Sequence, residues 1–523
     1  MAKNNDEIKT KQKKAENNNG LEEKKQKSLF KKINSWWPFS KISGRIIIGY
    51  LLAILIGGFL LSIPGVVLTK EHEWDVMTGM FTASSAISDT GITILYTHSE
   101  YSLIGQILIL IMIKIGGIGL LTIKIIIFSF LKKKNSIDDL SIAGTERGGG
   151  TLGNTVEMIR DAFIFLTSIE IIGIFLLFFG FFFSPVATEG FGTLNPQHNF
   201  LTSLWAATFH SISAVNNAGF DILSNSSLQP YNQPGQQAYY LLIIFMMQWI
   251  IGGLGYPTYI DIKRKIKAKR EGKRYRFSLF TKINFVVYLV LLFLGPVLVI
   301  ISEIVPYERS LIIYDGETRR AGGVWVFDII FSVTSCRNAG FSIVPINNFT
   351  AGSQLILSIW MFIGAAPSST AGGIRTTTFG IAVLAVFAVM RNKHSVEAFK
   401  KKIPEATVRR SFVVIFISLV IVASSIFIVY LDSNRMLWNL NPTNSGTEYS
   451  IISLIIYVSS AFGTVGLQPF SNSEILSMGT ISHIILIFTM FIGQLGISNT
   501  LLAFVKQKTN RNYGYLEEDV TIG

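Results

Sequence analysis

The sequence predicts an all-α membrane protein of four tandem units, each a membrane helix, a short re-entrant segment and a second membrane helix. Three observations predict it. Apolar runs such as Arg45–Val67, Tyr239–Gly255, Ile283–Ile304 and Phe412–Leu431 outrun the core helices of soluble proteins, and about 20 apolar residues span a bilayer as one helix. Lys and Arg gather in alternate loops: Lys263–Arg276 holds nine against one Glu, whereas 184–240 holds none and 69–101 holds only Lys70. Finally, one short motif is written four times, and such a period is explained before any local feature.

The net charge of +13 would suit nucleic acid if it formed one face. It lies between apolar runs instead, so nucleic acid is not an expected partner, and the lipid bilayer is. The positive-inside rule then places the Lys-rich loops and both termini in the cytoplasm of a multi-pass protein of the cell membrane. Residues 1–40 carry ten Lys against five acids and no apolar core, which reads as a disordered basic tail rather than a signal peptide. One cysteine, Cys336, excludes an internal disulfide or a cysteine metal cluster. Six scattered histidines without metal-ligand spacing argue against a membrane enzyme.

The motifs are Ser85–Gly91 (Ser-Ala-Ile-Ser-Asp-Thr-Gly), Ser213–Gly219 (Ser-Ala-Val-Asn-Asn-Ala-Gly), Thr334–Gly340 (Thr-Ser-Cys-Arg-Asn-Ala-Gly) and Ser460–Gly466 (Ser-Ala-Phe-Gly-Thr-Val-Gly). Their closing glycines lie 128, 121 and 126 residues apart. In unit one, a span over 42–68 crosses outward, 75–91 is too short and too rich in Ser and Thr to cross, and 102–131 returns. Unit two has 156–183, 200–220 and 238–262. Unit three has 281–304, 324–341 and 353–390, and unit four has 411–431, 448–467 and 476–504. The parity holds, since each second helix ends on the basic side.

Domain boundaries follow as 41–150, 151–275, 276–405 and 406–523, after the 1–40 tail. Segments that do not span are tolerated at membrane depth only inside protein or around water. Four of them therefore predict a pseudo-fourfold arrangement around one ion pore. Glycine frees the backbone so that carbonyls can point inward, and carbonyl rings replace an ion's hydration shell in selective channels.

On these motifs, with Asn-Asn-Ala-Gly-Phe (216–220), Arg-Asn-Ala-Gly-Phe (337–341) and Ser-Ser-Thr-Ala-Gly-Gly-Ile-Arg-Thr-Thr-Thr (368–378), residues 40–523 resemble the Trk/Ktr/HKT superfamily of potassium transporters, most of all the KtrB-type membrane subunit. The resemblance implies potassium uptake, not an enzymatic reaction, through a filter at Asp89, Thr90, Gly91, Asn217, Ala218, Gly219, Asn338, Ala339, Gly340, Thr464, Val465 and Gly466. It implies a homodimer and a separate cytosolic nucleotide-binding regulatory ring. No cofactor is expected in this chain; potassium is the transported ion, with sodium as activator or, in the alternative reading, as cargo of a weakly selective channel.

It also implies an intramembrane gate at 364–378, on Gly364, Pro367, Ser368, Ser369, Thr370, Gly372, Gly373 and Arg375. Pro and paired Gly are poor in a helix interior, which agrees. The family's arginine in the last helix is here Gln494, while Lys114 stands where a glutamine is common. Two readings remain for Lys114: it supplies the pore charge that Gln494 lacks, or it pairs with an acid such as Glu170. Asp89 and Asp221 likewise either attract cations at the mouth or pair with nearby backbone. Arg337 is expected to point behind the filter. Tyr457, where an acid is common, weakens any role for exterior carboxylates.

Overall fold

The computed structural model describes residues 42–119, 122, 152–187, 194–235, 237–305, 310–315, 318–433, 436, 451–497 and 500. The 1–40 tail, the basic segment at 132–134 and the C-terminal end from 501 lie outside these residues.

Among the described residues four long helices are apolar enough to cross a membrane: α1 (Ile42–Leu61), α4 (Leu152–Phe183), α8 (Leu279–Ile304) and α12 (Glu405–Asp432). Each is the predicted first helix of a unit. Large apolar side chains on them stay uncovered, among them Leu52, Phe175, Phe293 and Phe416. In water that surface would be a liability; against acyl chains it costs nothing, because lipid is as apolar as the side chains themselves.

The motif segments form shorter helices: α2 (Val76–Ile87), α5 (Phe200–Val215), α9 (Gly322–Ser335) and, between α12 and the last helix, Ile451–Gly463. At 12–16 residues and about 1.5 Å per residue, none spans a core of about 30 Å. Side chains start some of them cleanly. Asp75 accepts the backbone N–H groups of Met77 and Thr78, and Asn199 that of Thr202, supplying acceptors that a helix start lacks. Their last turns are buried nearly throughout, with Ser84, Ser85, Ser211, Ser213 and Ser460 inside.

The second helices of units one, two and four differ from the continuous spans predicted from sequence, and that of unit three is interrupted as expected. α3 (Leu103–Ile118) stops at Gly119, whose φ is +94°. α6 (Tyr239–Gly252) is bent by 93° from α7 (Tyr256–Arg270) across Gly253–Gly255. α10 (Ala351–Phe362) and α11 (Thr376–Met390) flank the expected break, which runs from 363 to 375; residues 376–378 already belong to the following helix. After α13 (Ile451–Gly463) and the single turn α14 (Asn472–Leu476), α15 (Thr480–Leu495) stops at Gly496 with φ +77°.

A common contact accompanies three of these breaks. A Cβ on Gly116, Gly252 or Gly493 would lie inside 3.0 Å of the carbonyl oxygen of Ile87, Val215 or Phe462. In units one, two and four the second helix thus rests a glycine on the carbonyl end of its own unit's short helix. Among the described residues two extensive apolar clusters hold most of the core, one around α1–α3, α12, α13 and α15, the other around α4–α6 and α8–α10, with smaller ones at Tyr256 and at Ile283. On the basic side, Asp261 accepts from Tyr275 Oη (2.6 Å), Ser278 N (2.9 Å) and Thr281 Oγ1 (2.6 Å), pinning the loop before α8 onto α7.

Candidate ion pathway

The four motif loops meet in sequence order and close on themselves. A Cβ on Gly91 would lie inside 3.0 Å of the Ala218 carbonyl oxygen, on Gly219 of Ala339, on Gly340 of Val465 and on Gly466 of Thr90. All four glycines have φ between +68° and +103°, a region costly for residues bearing a Cβ. Each glycine therefore sits against the carbonyl that precedes the next glycine around the ring.

Hydrogen bonds fix the loops to their helices. Thr90 N donates to Ser85 O, Ala218 N to Ser213 O and Val465 N to Ser460 O, at 2.8–2.9 Å. Asp89, Asn217 and Thr464, two residues before their glycines, are left-handed at φ +52°, +59° and +49°. The third loop departs. Asn338 is not left-handed, and both Ala339 N and Gly340 N donate to Ser335 O, one residue later than the pattern of the other three.

On one side of the ring, Gly91, Gly219, Gly340 and Gly466 share a cavity of about 400 Å³ with Tyr96, Asp221, Ser224 and Gln468. Asp221 is held there by Leu223 N, Ser224 N and His210 Nε2, so it both pairs with backbone and borders the mouth. Asp89 does not line this cavity. It is buried, and its Oδ2 accepts from Gln494 Nε2 at 3.1 Å.

On the other side lies a cavity of about 200 Å³ bordered by Pro367, Ser368, Ser369, Gly373, Arg375 and Gln494. The 363–375 stretch crosses between it and the ring. Thr370 Oγ1 accepts from Asn217 Nδ2 at 2.5 Å, Thr370 O accepts from Gln494 Nε2 at 3.1 Å, and Gly372 N donates to Thr464 Oγ1 at 2.7 Å. Arg337 Nη2 donates to Gly364 O at 3.1 Å while its guanidinium stacks 4.3 Å from the Tyr288 ring centroid. The stretch is thereby tied directly to loops two, three and four, and to loop one through Gln494.

Of the two readings of Lys114, the contacts here are those of the pairing. It does not border the lower cavity; its Nζ forms an ion pair with Glu170 on α4. Glu170 Oε1 also accepts from Asn216 Nδ2 at 2.9 Å, next to Asn217. A cation inside an apolar span is drawn to the nearest buried carboxylate, and α4 packs against α5, which brings that carboxylate up behind the second loop. The guanidinium that reaches Gln494 is that of Arg375, donating to Gln494 O at 2.7 Å and to Ala371 O. Sequence reasoning did not single out Asn216 or Tyr288. The paired Asn216-Asn217 was a usable signal for the first, whereas nothing around Tyr288 marked it.

Apolar helices around short buried helices, whose carbonyl-bearing loops meet in a ring, are the architecture of a multi-pass membrane transport protein. Residues 56–514 match the family model described as TrkH, cation transport protein. The chain belongs to that family, as a membrane subunit of the Trk/Ktr superfamily. It is 32% identical to "Uncharacterized cation transporter MG322" of Mycoplasma genitalium, over 92% of this chain and 97% of that one. It is 28% identical to "Ktr system potassium uptake protein D" of Bacillus subtilis, over 91% and 95%. The crystal structure of the potassium transporter TrkH from Vibrio parahaemolyticus superposes with a TM-score of 0.58 at 14% identity, covering 87% of this chain and 84% of that one, and so shares its fold.

Proposed function

We propose that the chain carries potassium into the cell through one pore, built by four membrane–loop–membrane units in pseudo-fourfold order with boundaries at 41–150, 151–275, 276–405 and 406–523. The closed cycle of glycine-to-carbonyl approaches carries this reading. Loops two and three of the cycle are also linked directly, Asn338 Nδ2 donating to Asn217 Oδ1 at 3.0 Å. In the proposal, carbonyls of the twelve residues Asp89–Gly91, Asn217–Gly219, Asn338–Gly340 and Thr464–Gly466 take the place of the ion's water. The carbonyl ends of the four short helices add partial negative charge at the same place.

No ATP site in this chain is needed. About 100 mV, inside negative, contributes roughly 2.3 kcal/mol per inward charge, enough for about fiftyfold accumulation. A homodimer in the cell membrane, both termini and the basic loops on the cytoplasmic side, and a separate nucleotide-binding ring opening the gate complete the proposal.

The gate is the 363–375 stretch, held shut beneath the filter by the bonds of Thr370, Gly372 and Arg375. Thr370→Val keeps the shape and removes the acceptor for Asn217. Losing it weakens the shut state by about 1–2 kcal/mol, so basal rubidium uptake should rise about 5- to 30-fold. Uptake equal to wild type would show that the stretch does not limit flow.

Sodium conduction is the second reading, favoured by the third loop, whose backbone departs from the other three. Growth rescue of potassium-uptake-deficient cells at low external potassium, with and without a co-expressed regulatory subunit, tests the function. Competition of rubidium uptake by sodium decides between the ions. Failure to rescue by protein shown to reside in the membrane would sink the potassium reading.

A further inference from the structure

The elbow between α6 and α7 opens a groove that the transport path does not use. With α7 turned 93° from the 14-residue α6, an α6 standing along the membrane normal leaves α7 running parallel to the bilayer. Its sequence suits that placement. Lys263, Arg264, Lys265, Lys267, Lys269 and Arg270 are all exposed, while Ile260, Ile262 and Ile266 alternate with them. Cations so placed draw the helix toward an anionic membrane surface.

Between α7 and the matching end of α4 lies a cavity of about 430 Å³, walled by Phe165, Tyr259, Ile262 and Ile266. Ile266 is 50% exposed and Phe165 39%, so the wall is open to whatever fills the outside. Three cations border it: Lys263, Lys267 and Arg270. Lys263 is neutralised by Asp161, which also lies 3.8 Å from Arg160. Lys267 stands 4.0 Å from Glu271, whose carboxylate is engaged more closely by Lys273 at 2.8 Å. Lys267 and Arg270 therefore leave the rim net positive over an apolar trough.

We propose that this groove binds one anionic phospholipid of the leaflet facing the basic loops, its acyl chain along Phe165, Tyr259 and Ile266 and its phosphate on Lys267 and Arg270. Surface cations of this kind draw anionic lipid, and the trough supplies the apolar half of the fit. The proposal rests on the membrane placement of α7 proposed above, and not on which ion is carried.

Native mass spectrometry of the full chain, released from bilayers of equal phosphatidylglycerol and phosphatidylcholine, tests it. Wild type should retain phosphatidylglycerol roughly tenfold over phosphatidylcholine, from Arg270 and a Lys267 partly screened by Glu271. K267Q/R270Q should bring that preference close to even. Ile266→Asp, at an exposed position, should remove the bound lipid, while K401Q/K402Q should change nothing, in the short hairpin between α11 and α12 where Glu397–Ala398 pair with Lys401–Lys402. Equal retention by Ile266→Asp, or an equal loss in K401Q/K402Q, would overturn the site in favour of diffuse surface charge. A benzophenone amino acid in place of Phe165 should give an adduct of phospholipid mass in cells. An adduct of protein mass, whether a second copy or a cytosolic partner, would overturn it too. Rubidium uptake by wild type that retains no lipid would defeat this site and leave the transport reading intact.

Discussion

Gly340→Ala is expected to abolish cation uptake while the protein still reaches the membrane. The backbone at Gly340 has φ +75°, which costs an alanine about 1–2 kcal/mol. That alone is survivable. The decisive term is steric: the new methyl would sit inside 3.0 Å of the Val465 carbonyl oxygen and close to Gly466 Cα. Both obstacles are backbone, so no side chain can rotate away, and the third and fourth loops must separate. Separation moves the carbonyls that this loop and its neighbour contribute to the ring.

Gly496→Ala is the matched control. Gly496 has nearly the same φ, +77°, but no atom within 4 Å of an added Cβ. It should keep most of its uptake and lose only the conformational cost. Rubidium uptake normalised to surface protein reads both. Full uptake by Gly340→Ala would mean that the glycine ring does not lie on the conduction path.

The second large effect is on stability. Glu170→Ala should lower it by about 3 kcal/mol, since removing one partner of a buried pair costs about 3–5 kcal/mol and the Lys114 side chain, 25% exposed, relieves part of that. Asn216 Nδ2 would lose one of its two acceptors and keep only Ile212 O, loosening the residue beside Asn217. Lys114→Gln should also destabilise, without any gain of flux. K114M/E170Q removes both charges, leaves an acceptor for Asn216, and should recover most of the stability. Thermal unfolding of the purified protein measures all three. Wild-type stability in Glu170→Ala would show that the pair contributes nothing, and a gain of flux in Lys114→Gln would return its ammonium to the pore.

Local residues determined a great deal of this protein. Apolar length alone marked α1, α4, α8 and α12 as spans, because a bilayer imposes one length on any helix that crosses it. Four small-residue motifs closing on Gly91, Gly219, Gly340 and Gly466 marked the loops, and Pro367 with Gly372-Gly373 marked the break at 363–375, since such residues oppose a helix by themselves. What the tertiary structure decided was every pairing of distant groups. Lys114 with Glu170, Gln494 with Asp89 and Arg337 with Gly364 depend on which helix lies behind which loop, and no periodicity encodes that. The bend at Gly253–Gly255 belongs to the same class. Its run reads as one apolar span, and it breaks where Gly252 rests on the Val215 carbonyl, a contact that exists only once the short helix is in place.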